Sequence, residues 1–217
     1  VGIDLVHGTF VKNEAHTIGK MLDSVLPYVK NSYILVDDTT TDDTVEIAQS
    51  YGCLVKTYKF ENFGKAQNIL LKWMNGSADW FFDLAPDETI SPEFGEMLWA
   101  LLPKIHSTKI DLVLFPRMHW LDLEMTQKKE WNYPDWQQRL IRLDYPRIHC
   151  IRYVHELING LREAIYHTGI DINHFNLYWR GQFGEKWLDI DALYKKLIQQ
   201  QRVDNGVNIW PDKEETE

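Results

Sequence analysis

Residues 33–58, YILVDDTTTDDTVEIAQSYGCLVKTY, decide the fold class, because two strand-like runs flank a helix within one short stretch. Tyr33 to Val36 is a short apolar run of the kind that fills a buried strand, and Asp37-Asp38-Thr39-Thr40-Thr41-Asp42-Asp43 is an acidic turn. Thr44 to Ser50 reads as a helix that Gly52 ends, with an acidic first turn where the helix dipole favours it. Leu54 to Tyr58 is the next strand. The alternation continues on both sides. Residues 3–11 (IDLVHGTFV) read as a first strand, and residues 14–26 place Ile18, Met21, Leu22 and Val25 on one helical face with Pro27 just beyond. Downstream, residues 65–75 read as a helix and residues 79–84 (DWFFDL) as a fourth strand, while Ser91-Pro92 opens a helix running to about Leu102. Strands alternating with helices predict a parallel α/β sheet whose ligands lie beyond the carboxyl ends of its strands. Those ends carry Thr9–Glu14, Asp37-Asp38, Phe60–Lys65 and Ala85–Glu88, so the expected ligand edge is acidic.

The second half breaks the rhythm. Leu112 to Met118 is a fifth strand, residues 119–138 are rich in tryptophan and charge, and Gln138 to Leu143 fits strand or helix. Residues 148–167 read as short antiparallel strands, and residues 184–202 as an amphipathic helix. Without a repeat or second core, one domain is expected over residues 1–205, with a disordered tail at 206–217. The start at Val1 rather than Met fits a processed form or one domain of a longer polypeptide.

Of 217 residues, 44% are hydrophobic and 25% charged, which fits a soluble globule. Acidic side chains number 32 against 23 basic ones, for a net charge of −9, and no basic run exceeds Lys128-Lys129 or Lys195-Lys196. That balance excludes an ordinary nucleic-acid binder, which needs a basic stripe to displace counterions from phosphates. An anionic ligand must then be held locally, by a metal or a few placed arginines. No apolar run approaches ~18 residues and no signal-like start is present, so neither a membrane span nor secretion is expected. Cys53 and Cys150 form no C-x-x-C pair, which fits a reducing, cytoplasmic setting. Trp73, Trp80 and Trp99 fall in apolar patterns and are expected in the core.

Five segments in one order carry a family resemblance: Val11-Lys12-Asn13-Glu14-Ala15; Val36 to Thr44; Asn62-Phe63-Gly64-Lys65-Ala66-Gln67-Asn68; Asp79-Trp80; and Pro86-Asp87-Glu88. Together they resemble the nucleotide-sugar glycosyltransferases of family 2, whose catalytic domain has the GT-A fold: a Rossmann-like, mostly parallel sheet flanked by helices, with a smaller antiparallel acceptor-side region. Tyr133-Pro134-Asp135-Trp136-Gln137-Gln138-Arg139-Leu140-Ile141-Arg142, with Val154-His155-Glu156 and Ile165-Tyr166-His167, resembles the branch that adds sugars to lipopolysaccharide cores. The likeness spans about residues 5–170.

The resemblance implies a nucleoside-diphosphate sugar donor, UDP by family frequency, and a glycan acceptor. A diphosphate leaving group builds negative charge that a divalent ion or fixed cations must neutralise. The family supplies an Asp-x-Asp for Mn²⁺ or Mg²⁺; here Ala85-Pro86-Asp87 lacks the first aspartate, which leaves Asp87 as the expected metal ligand. An imidazole is a tolerated partner, and among His155, His167 and His174 the first choice is His155. Donor binding is implied for Thr9, Phe10, Glu14, Asp37, Asp38, Lys65, Asn68, Ala85, Pro86, Asp87 and Arg142. An inverting transfer needs one carboxylate to take the acceptor hydroxyl proton, and the resemblance gives that role to Asp135. Arg139 and Arg142 share a face on a helix but point opposite ways on a strand, and either can clamp a diphosphate bidentately. Arg139 is grouped with the catalytic set. Trp120, Trp131, Tyr133 and Trp136 crowd around Asp135 in sequence as an acceptor platform, joined by Glu156. Plainer readings stand beside these: Asp87-Glu88 as a solvated turn before the Ser91 helix, Asp42-Asp43 as a capped turn, and Asp135 as a helix N-cap. The functional alternative, which the missing aspartate at Ala85 motivates, is a degenerate domain that binds a sugar nucleotide without turning it over.

Overall fold

The computed structural model describes residues 2–130, 133–153, 157–182 and 184–205. Strand β1 (Leu5–Val11) is followed by α1 (Ile18–Val25), β2 (Ser32–Asp37), α2 (Thr44–Ser50), β3 (Leu54–Tyr58), α3 (Phe63–Met74) and β4 (Trp80–Asp83). β1 pairs in parallel with β2 and β4, and β2 with β3, so the first half is the parallel sheet expected from the alternation. There follow β5 (Glu88–Thr89), α4 (Pro92–His106), β6 (Ile110–Trp120), β7 (Lys128–Lys129), β8 (Asp135–Arg142), β9 (His149–Cys150), β10 (Ile158–Asn159), β11 (Glu163–Tyr166), β12 (Ile172–His174), α5 (Asn176–Gln182) and α6 (Gly184–Asn205). Among the described residues the main sheet runs β3-β2-β1-β4-β8-β6-β12-β5, with β7 and β11 also on β6, and β9-β10 form a separate antiparallel pair. β8 lies antiparallel between β4 and β6.

Two sequence expectations change here. Gln138 to Arg142, open between strand and helix, is strand. Among the described residues of 148–167, β9 and β10 alone are antiparallel, whereas β11 runs parallel to β6.

Period-2 alternation sorts each strand between two layers. Leu5, Ile34, Trp80, Phe82, Val113 and Phe115 pack with α1 and α4, through Ile18, Met21, Leu22 and Val25 of one and Phe94, Leu98, Leu102 and Ile105 of the other. Val6, Leu35, Phe81, Leu112 and Ile141 pack with Ala66, Leu70 and Met74 of α3. α3 lies so close to the sheet that a Cβ on Gly8 would come within 2.9 Å of Met74 Sδ. Trp80 is fully buried and Trp73 packs edge-on against Tyr33, 5.0 Å between ring centroids. Trp99 departs from the expectation: it is 41% exposed, and its Nε1 donates to the Tyr28 carbonyl at 3.0 Å. The apolar stripe of α4 runs through residues 94, 98, 102 and 105, and position 99 falls off it.

Ser91 starts α4 as expected, its side chain accepting from Phe94 N at 3.3 Å with Pro92 next. The helix passes Pro103 and ends at His106 rather than Leu102. Arg142 supports that last turn. Its guanidinium donates to the carbonyls of Ile105 (3.1 Å) and His106 (3.0 Å) at the helix end, where carbonyls lack intrahelical partners, and to that of Ile110 (3.0 Å) at the start of β6.

β1 also carries a fully buried histidine. The Leu84 carbonyl can only accept, so His7 Nε2 bears the hydrogen (3.2 Å) and Nδ1 accepts from Ser32 Oγ (2.7 Å). This neutral tautomer pins the exit of β4 to the sheet centre. Burial pushes the His7 pKa down from 6.5 to about 4, with the Leu84 bond opposing. Between those values the unfolded chain takes up a proton that the folded one does not. His7 therefore contributes stability in full above pH 6.5 and loses it as the pH falls toward 4, in all about 3 kcal/mol. Urea unfolding from pH 7 to 4.5 should show a falling midpoint whose slope shrinks in His7→Gln; equal slopes in both proteins would contradict this account.

Candidate active site

The turn after β4 builds the site. Glu88 N donates to the Ala85 carbonyl at 3.0 Å, and Ala85 N donates to Glu88 Oε2 at 3.0 Å, so backbone and side chain close the same Ala85–Glu88 turn. β5 then pairs antiparallel with β12, His174 opposite Glu88, and Phe175 N donates to the Asp87 carbonyl at 3.0 Å. That ladder sets the His174 ring beside the Asp87 carboxylate, Nε2 to Oδ2 3.3 Å, with Asn176 Nδ2 at 3.4 Å from the same oxygen. The solvated-turn reading of Asp87-Glu88 is corrected: Glu88 is fully buried and Asp87 nearly so.

Two arginines meet on Glu88. Arg117 Nη1 donates to Oε1 at 3.0 Å and Arg139 Nη2 to the same atom at 2.7 Å. Arg117, on β6, also reaches across to β8, where Nε (2.8 Å) and Nη2 (2.7 Å) both approach Asp135 Oδ2. His119 Nε2 lies 3.0 Å from that oxygen, and Gln137 Nε2 donates to Oδ1 at 2.7 Å. Asp135 opens a strand and caps no helix. A bulge between Val113 and Leu114 takes Arg139 out of the β6–β8 ladder, and its guanidinium reaches Glu88, which an undistorted strand would place differently.

The rings of His119 and His174 meet through their Nδ1 atoms at 2.9 Å, so one donates and one accepts. Burial and the Arg117 charge push the His174 pKa down against the pull of Asp87. The two rings thus join the Asp87 and Asp135 carboxylates in one hydrogen-bonded chain. Arg117, Arg139 and the two histidines surround Asp87, Glu88 and Asp135. Burial alone would raise all three carboxyl pKa values, but these neighbours outweigh it. His174, Arg117 and Asn176 hold Asp87 well below the usual carboxylate range, Arg139 and Arg117 lower Glu88, and His119, Arg117 and Gln137 do the same for Asp135.

The other expected residues divide. Asp37 is buried at the end of β2, its Oδ1 accepting from Thr39 N (2.8 Å) and Oγ1 (2.6 Å), with Lys12 Nζ 3.9 Å from Oδ2; Asp38 is exposed beside it. Thr9 is buried in β1, Phe10 packs on Phe63 at 5.6 Å, and Glu14 Oε2 accepts from Thr17 Oγ1 at 2.8 Å. Asp42 anchors loops, accepting from Ala15 N at 3.0 Å and Thr44 N at 3.2 Å. Lys65 pairs with Glu61 on the surface.

Three groups of expected ligand residues are engaged elsewhere. Asn68 spends both ends of its amide on the Cys150 backbone (2.8 and 2.7 Å), which ties β9 to α3 rather than to a ligand. Arg142 lies opposite Trp80, at the start of β4, and so at the end of the sheet away from Asp87; its carbonyl partners and Asp111 (3.1 Å) occupy it. Trp120 and Trp136 are neighbours of His119 and Asp135 along their strands, so alternation turns them to the opposite face. There Trp120 Nε1 donates to Asn173 Oδ1 at 2.8 Å and Trp136 packs on Tyr166 at 4.9 Å, while the exposed Tyr133 donates to Asp171 at 3.1 Å. Trp131, His155, Glu156 and the tail lie outside the described residues. Sequence reasoning missed Arg117 and His119, although period 2 from Val113 and Phe115 puts both on the buried face of β6.

The chain matches the family model for glycosyl transferase family 2 over residues 9–159. No curated protein matches it. Among solved structures, residues 1–349 of S. aureus TarS superpose with a TM-score of 0.56 at 14% identity, over 80% of this chain and 60% of that one. A longer TarS structure gives 0.52 at 14% identity, over 79% and 36%. Glucosyl-3-phosphoglycerate synthase from Mycobacterium tuberculosis, crystallised with Mn²⁺, UDP and glucosyl-3-phosphoglycerate, gives 0.44 at 24% identity, over 52% and 44%. The chain thus spans less than two thirds of each of these structures. At 14% identity the likeness to TarS is one of fold.

The scaffold role of Arg142 is open to a stability measurement. Arg142→Leu removes a nearly buried guanidinium from Asp111 and the end of α4, and should cost about 3 kcal/mol. Urea unfolding measures this; an unchanged midpoint would contradict the structural role.

Proposed function

The chain belongs to glycosyl transferase family 2, and we propose that it moves a sugar from a UDP-sugar to a hydroxyl of a glycan acceptor with inversion at the anomeric carbon. The observation that carries this reading is the state of Asp135. Its Oδ2 is filled by Arg117 and His119, whereas among the described residues Oδ1 accepts one bond, from Gln137, and keeps a lone pair for a hydroxyl. In the proposed step the acceptor oxygen bonds to the anomeric carbon as the bond to the diphosphate breaks on the opposite face, and the hydroxyl proton passes to Asp135 Oδ1. The mixed, mostly parallel sheet is consistent with the GT-A fold. The motif from Tyr133 to Arg142 favours the lipopolysaccharide-core branch, with residues 1–205 as one catalytic unit. We place it in the cytoplasm; among the described residues no helix is long and apolar enough to cross a membrane.

A bound divalent ion would neutralise the charge that builds on the departing diphosphate. Asp87 offers it a carboxylate, while Ala85 offers no side-chain ligand, Glu88 is committed to arginines, and both ring nitrogens of His174 are engaged, by Asp87 and His119. Among the described residues no three His, Cys, Asp or Glu side chains group around an ion. Mg²⁺ is commonly held by one or two carboxylates plus substrate phosphates, so Asp87 fits an ion for which the diphosphate would supply further oxygens. The cations expected to serve in its place favour this view. Arg139 binds Glu88 and Arg142 binds the end of α4, which leaves Lys65, in an exposed pair with Glu61.

A catalytically degenerate binder remains the second reading, favoured by Ala85 and by the saturation of Asp135 Oδ2. Transfer assays separate the two. Asp135→Asn should lower turnover about 10²–10⁴-fold with nucleotide binding intact; near-full activity in the variant sinks the base assignment, and binding without turnover in the natural sequence supports the degenerate reading. In thermal-shift measurements Mn²⁺ alone should change little, whereas Mn²⁺ with UDP at about 100 times its dissociation constant should stabilise by ~2.7 kcal/mol. Asp87→Asn should abolish the Mn²⁺-dependent part. UDP binding that ignores EDTA would contradict a metal on Asp87.

A further inference from the structure

We propose that Arg117 is a positioning residue that fixes the Asp135 carboxylate relative to the Ala85–Glu88 turn, an inference that rests on the same site as the reading above. Three observations lead there. Arg117 spans two carboxylates from separate parts of the chain, Glu88 on β5 through Nη1 (3.0 Å) and Asp135 on β8 through Nε (2.8 Å) and Nη2 (2.7 Å). Its side chain is 19% exposed, and Glu88, fully buried, cannot swing away without leaving a charge uncompensated. Glu88 in turn closes the turn that presents Asp87, through its bond from Ala85 N (3.0 Å). One guanidinium therefore sets the distance between the donor-side turn and the proposed base.

The planar fork is what makes this possible. Two nitrogens on one Asp135 oxygen fix its direction, which a single ammonium cannot do, and they leave Oδ1 turned outward. Asp135 also faces His119 on β6 and Gln137 on its own strand, with Glu88 behind Arg117 and His174 behind His119. Without Arg117 the carboxylate would keep the last two of its direct partners, lose its fixed orientation, and ionise less readily because burial would act against one cation fewer.

The experiment follows the Asp135 carboxyl carbon by ¹³C NMR in aspartate-labelled full-length protein, with the signal identified by its loss in Asp135→Asn. In the natural sequence the signal should stay at its ionised position down to pH 4. In Arg117→Met it should titrate at least one pH unit higher, a tenfold or larger change in the ionisation constant, and Arg117→Lys should fall between the two. Should Arg117→Met not fold, Arg117→Lys carries the comparison. An Asp135 signal in both variants that matches the natural protein throughout would overturn the proposal. This readout needs no substrate, so its failure is distinct from that of the base assignment: a fully active Asp135→Asn enzyme would remove the base and leave the NMR result standing.

Discussion

Three carboxylates held out of water at one sheet edge are the constraint on which the rest of this structure depends. Glu88 is held there by Arg117 and Arg139, Asp135 by Arg117 with His119 and Gln137, and Asp87 by His174 and Asn176. A buried carboxylate left alone would cost several kcal/mol or take up a proton. The partners come from β6 and β8, and His174 from β12, so the acidic turn after β4 draws its partners from the second half of the chain. Placing β8 antiparallel between β4 and β6 does this. It brings the start of β8 beside the carboxyl end of β6, with Asp135 opposite Arg117.

The parallel half supplies rigidity to the same edge. His7 ties the Leu84 carbonyl to the middle of the sheet, one residue before the turn begins. The loops after β1 and β2 are bound to each other, Thr41 N to Asn13 Oδ1 (2.8 Å) and Glu14 N to Thr44 Oγ1 (2.7 Å). At the same edge Asp37 has its orientation set by Thr39, whose N and Oγ1 both donate to its Oδ1.

Most of the parallel half was legible in the sequence, because local periodicity and turn chemistry act over a few residues: α2 and β3 fall where Thr44–Ser50 and Leu54–Tyr58 place them. The second half was harder. β8 owes its strand character to neighbours far away in the chain, and the bulge that aims Arg139 has no local signature. Asp87 and Asp135 could be picked out through family resemblance, but their commitments could not. Arg142 and Asn68 looked like ligand residues and serve the scaffold, since a guanidinium suits helix carbonyls as well as phosphates. The tryptophans beside Asp135 were grouped by adjacency, whereas a strand sends adjacent residues to opposite faces.

The central claim of the proposed function is a single displacement in which Asp135 takes the acceptor proton, while Glu88 is enclosed by two arginines. The most direct test is the anomeric configuration of the first product formed from an α-linked UDP-sugar, read from its ¹H coupling by NMR before any mutarotation. The account predicts a β-linked product; an α-linked product would contradict it.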